Sequence, residues 1–176
     1  GRFTQAAELF SYDRFQICTV GDFDGDGNLD VLNKGFTLWK GDGAGAFLEP
    51  ETAAVDLDPT HLRGMLAPDL DGDGDSDLVL SFGIGGLHVL INEGRAESFR
   101  GAEFFTLGLA GPAAALDVDG DGDQDLAAPL FSPSHGVSIL VNRGDGSFVD
   151  GELSPVDLDL RDMDLTFSIG DVDGDG

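Results

Sequence analysis

Short apolar runs alternate along the chain with turns rich in glycine, aspartate and asparagine, and the alternation itself repeats on a longer scale. A first set of apolar runs falls at residues 15–20, 62–67, 112–116 and 165–169. A second set, at 29–32, 78–82 and 126–131, follows across acidic turns. A third, at 36–39, 87–91 and 137–141, follows across glycine- or proline-rich turns. Phe3, Phe47, Phe99 and Phe148 then open more polar stretches that read as edge strands. Runs of four to six apolar residues bounded by turn formers are strands, because they are too short to build a helix. No segment predicts a helix.

The acidic turns set the period. Asp22-Phe-Asp24-Gly-Asp26-Gly-Asn28-Leu-Asp30 returns as Asp69-Leu-Asp71-Gly-Asp73-Gly-Asp75-Ser-Asp77 and again as Asp117-Val-Asp119-Gly-Asp121-Gly-Asp123-Gln-Asp125. Asp171-Val-Asp173-Gly-Asp175-Gly176 is a fourth copy cut short by the chain end. Four strands per period of about 50 residues is the signature of a β-propeller blade. The predicted fold is therefore all-β, with blades of four antiparallel strands: about three full blades and a partial blade at each end. The expected boundaries are 1–14 for the last strand of a preceding blade, 15–61, 62–111 and 112–161 for three blades, and 162–176 for the first strand of a following one. Blades bury their faces only against other blades, so the chain reads as part of something longer.

Carboxylates at positions 1, 3, 5 and 9 of a tight loop make an oxygen cage suited to Ca²⁺, which takes about six to eight oxygens at about 2.3–2.6 Å. Position 7 (Asn28, Asp75, Asp123) is expected to offer its backbone carbonyl. Gly27, Gly74 and Gly122 at position 6 allow the sharp turn that a Cβ would resist. Three complete sites are expected, with Asp171, Asp173 and Asp175 forming half of another. An EF-hand is excluded: position 12 is Asn33, Leu80 or Ala128 instead of glutamate, and strands follow instead of helices. A period near 50 also excludes nine-residue calcium rolls.

Composition sharpens this picture. The formal charge is −25, and 17 of the 34 acidic residues lie in the four motifs, so the charge belongs to the loops and not to a disordered tail. Three bound Ca²⁺ would leave −19, a field that repels nucleic acid and anionic membrane, so neither is an expected partner. No apolar run reaches membrane-spanning length. The single cysteine, Cys18, excludes an internal disulfide framework, and its neighbours Ile17 and Val20 predict a buried thiol. His61, His88 and His135 show no zinc spacing, and no nucleophile elbow or phosphate loop occurs.

The run Asp-x-Asp-Gly-Asp-Gly-x-x-Asp-Leu, followed by a strand, a glycine turn and Asn-x-Gly-Asp-Gly-x-Phe, resembles the FG-GAP/VCBS repeat family, which includes the calcium-binding blades of integrin α-subunit propellers. The likeness is strong at Asp117–Asp125 with Asn142–Phe148, while the Phe-Gly signature survives only at Phe82-Gly83. The resemblance implies side-chain ligands Asp22, Asp24, Asp26 and Asp30; Asp69, Asp71, Asp73 and Asp77; and Asp117, Asp119, Asp121 and Asp125. Carbonyls of Asn28, Asp75 and Asp123 complete the three sets.

Repetition of one carboxylate set in every blade suits a structural job, since an active site is normally built once; no catalytic residue is expected. Extracellular modules bind Ca²⁺ at about 10⁻⁴–10⁻³ M, a range met outside cells, so a secreted or cell-surface location follows. The expected role is an extracellular binding, adhesion or structural scaffold with a protein or glycan ligand, or self-association. The alternatives are an accessory propeller of a secreted polysaccharide- or lipid-degrading enzyme, and a subunit of an extracellular filament or surface layer. A second face, opposite the acidic loops, would carry Lys34, His61, Arg63, His135 and Arg161.

Overall fold

A computed structural model describes residues 17–83, 86–94, 96–105, 112–130 and 136–154. Within them, twelve strands form three separate four-stranded sheets. The first contains β1 (Cys18–Gly21), β2 (Asp30–Asn33), β3 (Thr37–Trp39) and β4 (Glu51–Thr52). The second contains β5 (Leu62–Leu66), β6 (Leu78–Phe82), β7 (Gly86–Asn92) and β8 (Phe99–Phe105). The third contains β9 (Ala114–Leu116), β10 (Asp125–Leu130), β11 (Gly136–Asn142) and β12 (Phe148–Ser154). Each is an antiparallel up-and-down meander in chain order. The only helical turn among the described residues is a 3-10 turn at Pro59–His61, opened by Asp58, whose carboxylate accepts the Thr60 N–H. No helix among them is long and apolar enough to cross a membrane.

The period-two alternation of side chains explains where the core sits. In β6, Leu78, Leu80 and Phe82 pack toward the first sheet with Phe23, Leu32, Phe36 and Leu38. Between them, Val79 packs toward the third sheet with Leu87, Val89, Ile91, Leu126, Ala128 and Leu140. Ser81, on the same side as Val79, accepts the Ala113 N–H at 3.1 Å. A strand buried on both faces reads as a near-continuous apolar run, as Leu78–Phe82 does with Ser81 its one polar residue. The apolar cores are thus seams between successive sheets, the arrangement of blades in a β-propeller. Gly64 belongs to such a seam, for an added Cβ would lie 2.4 Å from Pro112 Cβ.

Two expectations need correction. Cys18 is exposed, not buried. The thiol shares a face of β1 with Val20, which is also exposed, and no described sheet covers that face. In the first sheet the phenylalanine marker does not open the fourth strand: Phe47 makes only an isolated bridge to Gly41, and β4 begins at Glu51. Phe99 and Phe148 do open β8 and β12. The terminal strands expected over 1–14 and 165–169, together with Phe3, His135, Arg161, Asp171, Asp173 and Asp175, lie outside the described residues.

Candidate metal centre

Each acidic motif forms the loop between the first and second strands of its sheet, and its own backbone winds around its aspartates. Asp22 accepts the N–H groups of Asp26 at 3.2 Å and Gly27 at 2.7 Å. Asp69 accepts those of Gly72 and Gly74, and Asp117 those of Gly120 and Gly122. The winding needs two left-handed residues per loop. The position-6 glycines have φ of 84°, 96° and 101°, and position 4 (Gly25, Gly72, Gly120) is also positive, at 68°, 74° and 80°. The sequence reading singled out only the first set.

Positions 1, 3 and 9 converge. Asp22, Asp24 and Asp30 each bring a carboxylate oxygen within 4.8 Å of the others, as do Asp69, Asp71 and Asp77, and Asp117, Asp119 and Asp125. The position-5 side chains fall outside these triads. Asp26, Asp73 and Asp121 each accept the N–H two residues on, from Asn28, Asp75 and Asp123. The side chains of position 7 reach other glycines: an added Cβ on Gly43 would lie 2.3 Å from Asn28 Oδ1, and one on Gly144 would lie 2.4 Å from Asp123 Oδ2. Asp75 Oδ1 sits in the same way against Gly25 of the preceding loop.

Position 9 does more than the spacing implied. Asp30, Asp77 and Asp125 are fully buried. Each carboxylate spans two backbone amides, one from position 2 of its loop and one from the end of the third strand or, in the first blade, two residues past it. Asp30 accepts Phe23 at 2.9 Å and Gly41 at 2.8 Å. Asp77 accepts Leu70 and Asn92, both at 2.7 Å. Asp125 accepts Val118 at 2.7 Å and Asn142 at 2.8 Å. This aspartate is a bracket holding the loop to the blade, and one of its oxygens still lies within 4.8 Å of those of its triad partners. Burial pushes Asp77 up to about 7, against the lowering effect of its two amide donors, and it raises Asp30 in the same way. Burial and then the neighbouring Asp73 charge raise Asp71.

Crowded, partly desolvated carboxylates call for a cation, and the donor set is all oxygen, which suits a hard divalent ion. One atom supports the fit directly. Asp24 Oδ1 is buried without a hydrogen-bond partner, the sole such side-chain atom among the described residues. Buried carboxylate oxygens are otherwise satisfied, so this one is missing a partner that a ligated ion would supply.

Comparison with known proteins agrees with this geometry. The FG-GAP-like repeat family matches residues 69–128 and 117–176, more than half of the chain. No curated protein matches. Among solved structures, an Agrocybe aegerita lectin, described for specific recognition of non-reducing terminal N-acetylglucosamine, is similar at a TM-score of 0.58 and 24% identity over 79% of this chain. The chain spans 37% of that lectin's length. With three stacked four-stranded blades, the acidic loop repeated in each and the family match across two of them, the chain belongs to the FG-GAP-like repeat family.

Proposed function

We propose that this segment is a calcium-stabilised β-propeller scaffold that works outside the cell, binding a partner or supporting an extracellular assembly, with no catalysis of its own. The observation that carries the reading is the triad of aspartates repeated in all three blades, with Asp24 Oδ1 buried and lacking a partner in the first. Asp22, Asp24 and Asp30, Asp69, Asp71 and Asp77, and Asp117, Asp119 and Asp125 would hold the ions. Asp26, Asp73 and Asp121 are the next nearest candidates. A bound Ca²⁺ would supply positive charge that removes the mutual repulsion of the carboxylates and ties the first strand of each blade to the second.

The family supports an extracellular home, and extracellular Ca²⁺ is high enough to fill sites of modest affinity. At about 100 times Kd, each filled site adds about 2.7 kcal/mol to stability. The test is a thermal melt in millimolar Ca²⁺ and in excess chelator. A large fall in midpoint with chelator, restored by Ca²⁺ and less well by Mg²⁺, is expected. An unchanged midpoint would remove the structural role and reopen an enzymatic use of the carboxylates.

A glycan is the partner class favoured by a specific observation, the likeness to the N-acetylglucosamine-recognising lectin. Basic groups available for such a ligand include Lys34, on the turn after β2, and Arg63, exposed on β5 beside Gly83. Binding to a glycan array that persists in Arg63→Ala would move the ligand away from that face.

A further inference from the structure

The three position-9 aspartates are joined in one hydrogen-bonded line that crosses both blade seams. Phe23 donates its N–H to Asp30 and accepts at its carbonyl the side-chain amide of Asn92 from the following blade, at 2.8 Å. The backbone N–H of Asn92 in turn donates to Asp77. One blade on, Leu70 donates to Asp77, its carbonyl accepts the side-chain amide of Asn142 at 2.7 Å, and the Asn142 N–H donates to Asp125.

Neither asparagine has slack. The Asn92 amide nitrogen also donates to Ser76 of its own loop at 3.2 Å, and its oxygen accepts the N–H groups of Gly94 and Ala96. The Asn142 amide nitrogen also donates to Gln124 at 3.0 Å, and its oxygen accepts Gly144 N–H. Each amide therefore holds a carbonyl of the preceding acidic loop and one of its own loop at the same time. A direct backbone bond reinforces each seam: Ser76 N–H to the Asp22 carbonyl at 2.6 Å, and Gly146 N–H to the Leu70 carbonyl at 3.1 Å.

The geometry points to Asn92 and Asn142 as positioning residues that couple neighbouring loops, so that cation binding along the blades is cooperative. This rests on the reading that the loops bind Ca²⁺. A loop ordered by its ion fixes its bracket aspartate, the bracket fixes the asparagine, and the asparagine fixes position 2 of the loop before it. Linkage makes the effect reciprocal, so filling either site favours the other. The ordered and loosened states of each loop are the two-state element through which coupling acts.

The test is a Ca²⁺ titration of the full chain followed at the amide resonances of Gly27, Gly74 and Gly122, each bonded to the first aspartate of its own loop. In the unmodified chain the three curves should be sigmoidal with Hill slopes above one. In Asn92→Ala, the Gly27 midpoint should weaken about fivefold although residue 92 lies outside the first loop, the size expected of a moderate coupling energy. Asn142→Ala should weaken the Gly74 midpoint. Asp69→Asn, which cripples the second site, should weaken the midpoints at Gly27 and Gly122. Hill slopes of one in the unmodified chain, or a Gly27 midpoint unmoved in both Asn92→Ala and Asp69→Asn, would overturn the coupling while leaving calcium binding intact. If no glycine responds to millimolar Ca²⁺, calcium binding itself is wrong, and the coupling falls with it.

Discussion

Lys40 Nζ lies 3.5 Å from Oδ2 of Asp24 and 2.7 Å from Oε1 of Glu51, at a ladder position that Ile91 and Val141 fill in the other two blades. The first acidic loop thus has a tethered cation beside one of its triad carboxylates, while Oδ1 of the same carboxylate is left without a partner. The hydrogen bond to Glu51, opposed by burial, raises the Lys40 pKa, so the ammonium stays charged across the physiological range. A fixed positive charge a few ångströms from a divalent ion repels it. Lys40→Met should therefore tighten cation binding at the first loop by about tenfold, the scale of such a repulsion in a partly solvated site. Terbium emission sensitised by Trp39, the only tryptophan and the residue next to Lys40, would read it. Equal affinities in the two proteins would mean that Glu51 neutralises the ammonium completely.

Leu80 lies in the middle strand of the middle blade and is fully buried in the seam with the first blade. Leu80→Ala should cost about 2–5 kcal/mol, from lost transfer energy together with the cavity left behind. Urea unfolding at saturating Ca²⁺ would measure it, since metal then contributes equally to both proteins.

Gly64→Ala tests how closely the second and third blades approach. The new methyl group would sit 2.4 Å from Pro112 Cβ and 2.9 Å from Pro112 Cα, and backbone cannot swing aside as a side-chain tip can. A loss of about 1–3 kcal/mol is expected, as for other overpacked sites. Gly101→Ala is the control, because its nearest neighbour would be Leu90 Cδ2 at 4.0 Å. Equal unfolding midpoints for the two variants would contradict a tight seam.

His88 stands on β7 with its ring T-shaped to that of Phe82, centroids 5.1 Å apart, and burial holds its pKa below the ordinary 6.5. The folded chain thus prefers the neutral imidazole more than the unfolded chain does. The stability this contributes is present above about pH 6.5 and is lost as pH falls through the lowered folded value. Urea midpoints of the native chain should therefore drop more between pH 7.5 and pH 5 than those of His88→Phe, which keeps the ring contact and removes the titration. Parallel drops would mean that His88 is not the source of the acid sensitivity.

The sequence made the acidic loops legible because a metal cage is a local matter of spacing, with side chains fixed two residues apart around glycines. It likewise announced β6, where every residue is apolar or small because both faces are buried. What it hid depends on contacts from far along the chain. Asp30, Asp77 and Asp125 looked equivalent to the other aspartates, yet each brackets an amide 11 to 17 residues away. Asn92 and Asn142 passed as ordinary turn residues within Asn-x-Gly. Their shared place at the end of the third strand was visible, but the partners, Phe23 and Leu70, lie 69 and 72 residues back. Cys18 was misread for the same reason: apolar neighbours do not reveal which face of a strand another sheet will cover.

The seams have a direction. At the acidic loops the donor sits on the later blade and the acceptor on the earlier one: Asn92 reaches back to Phe23, and Asn142 back to Leu70. The second blade therefore carries one half of a fastening on each side, with the same chemistry at both joins. A second copy of that blade inserted beside it would leave the joins matched. Arrays of this kind can change their number of blades by duplication without any new contact having to be invented.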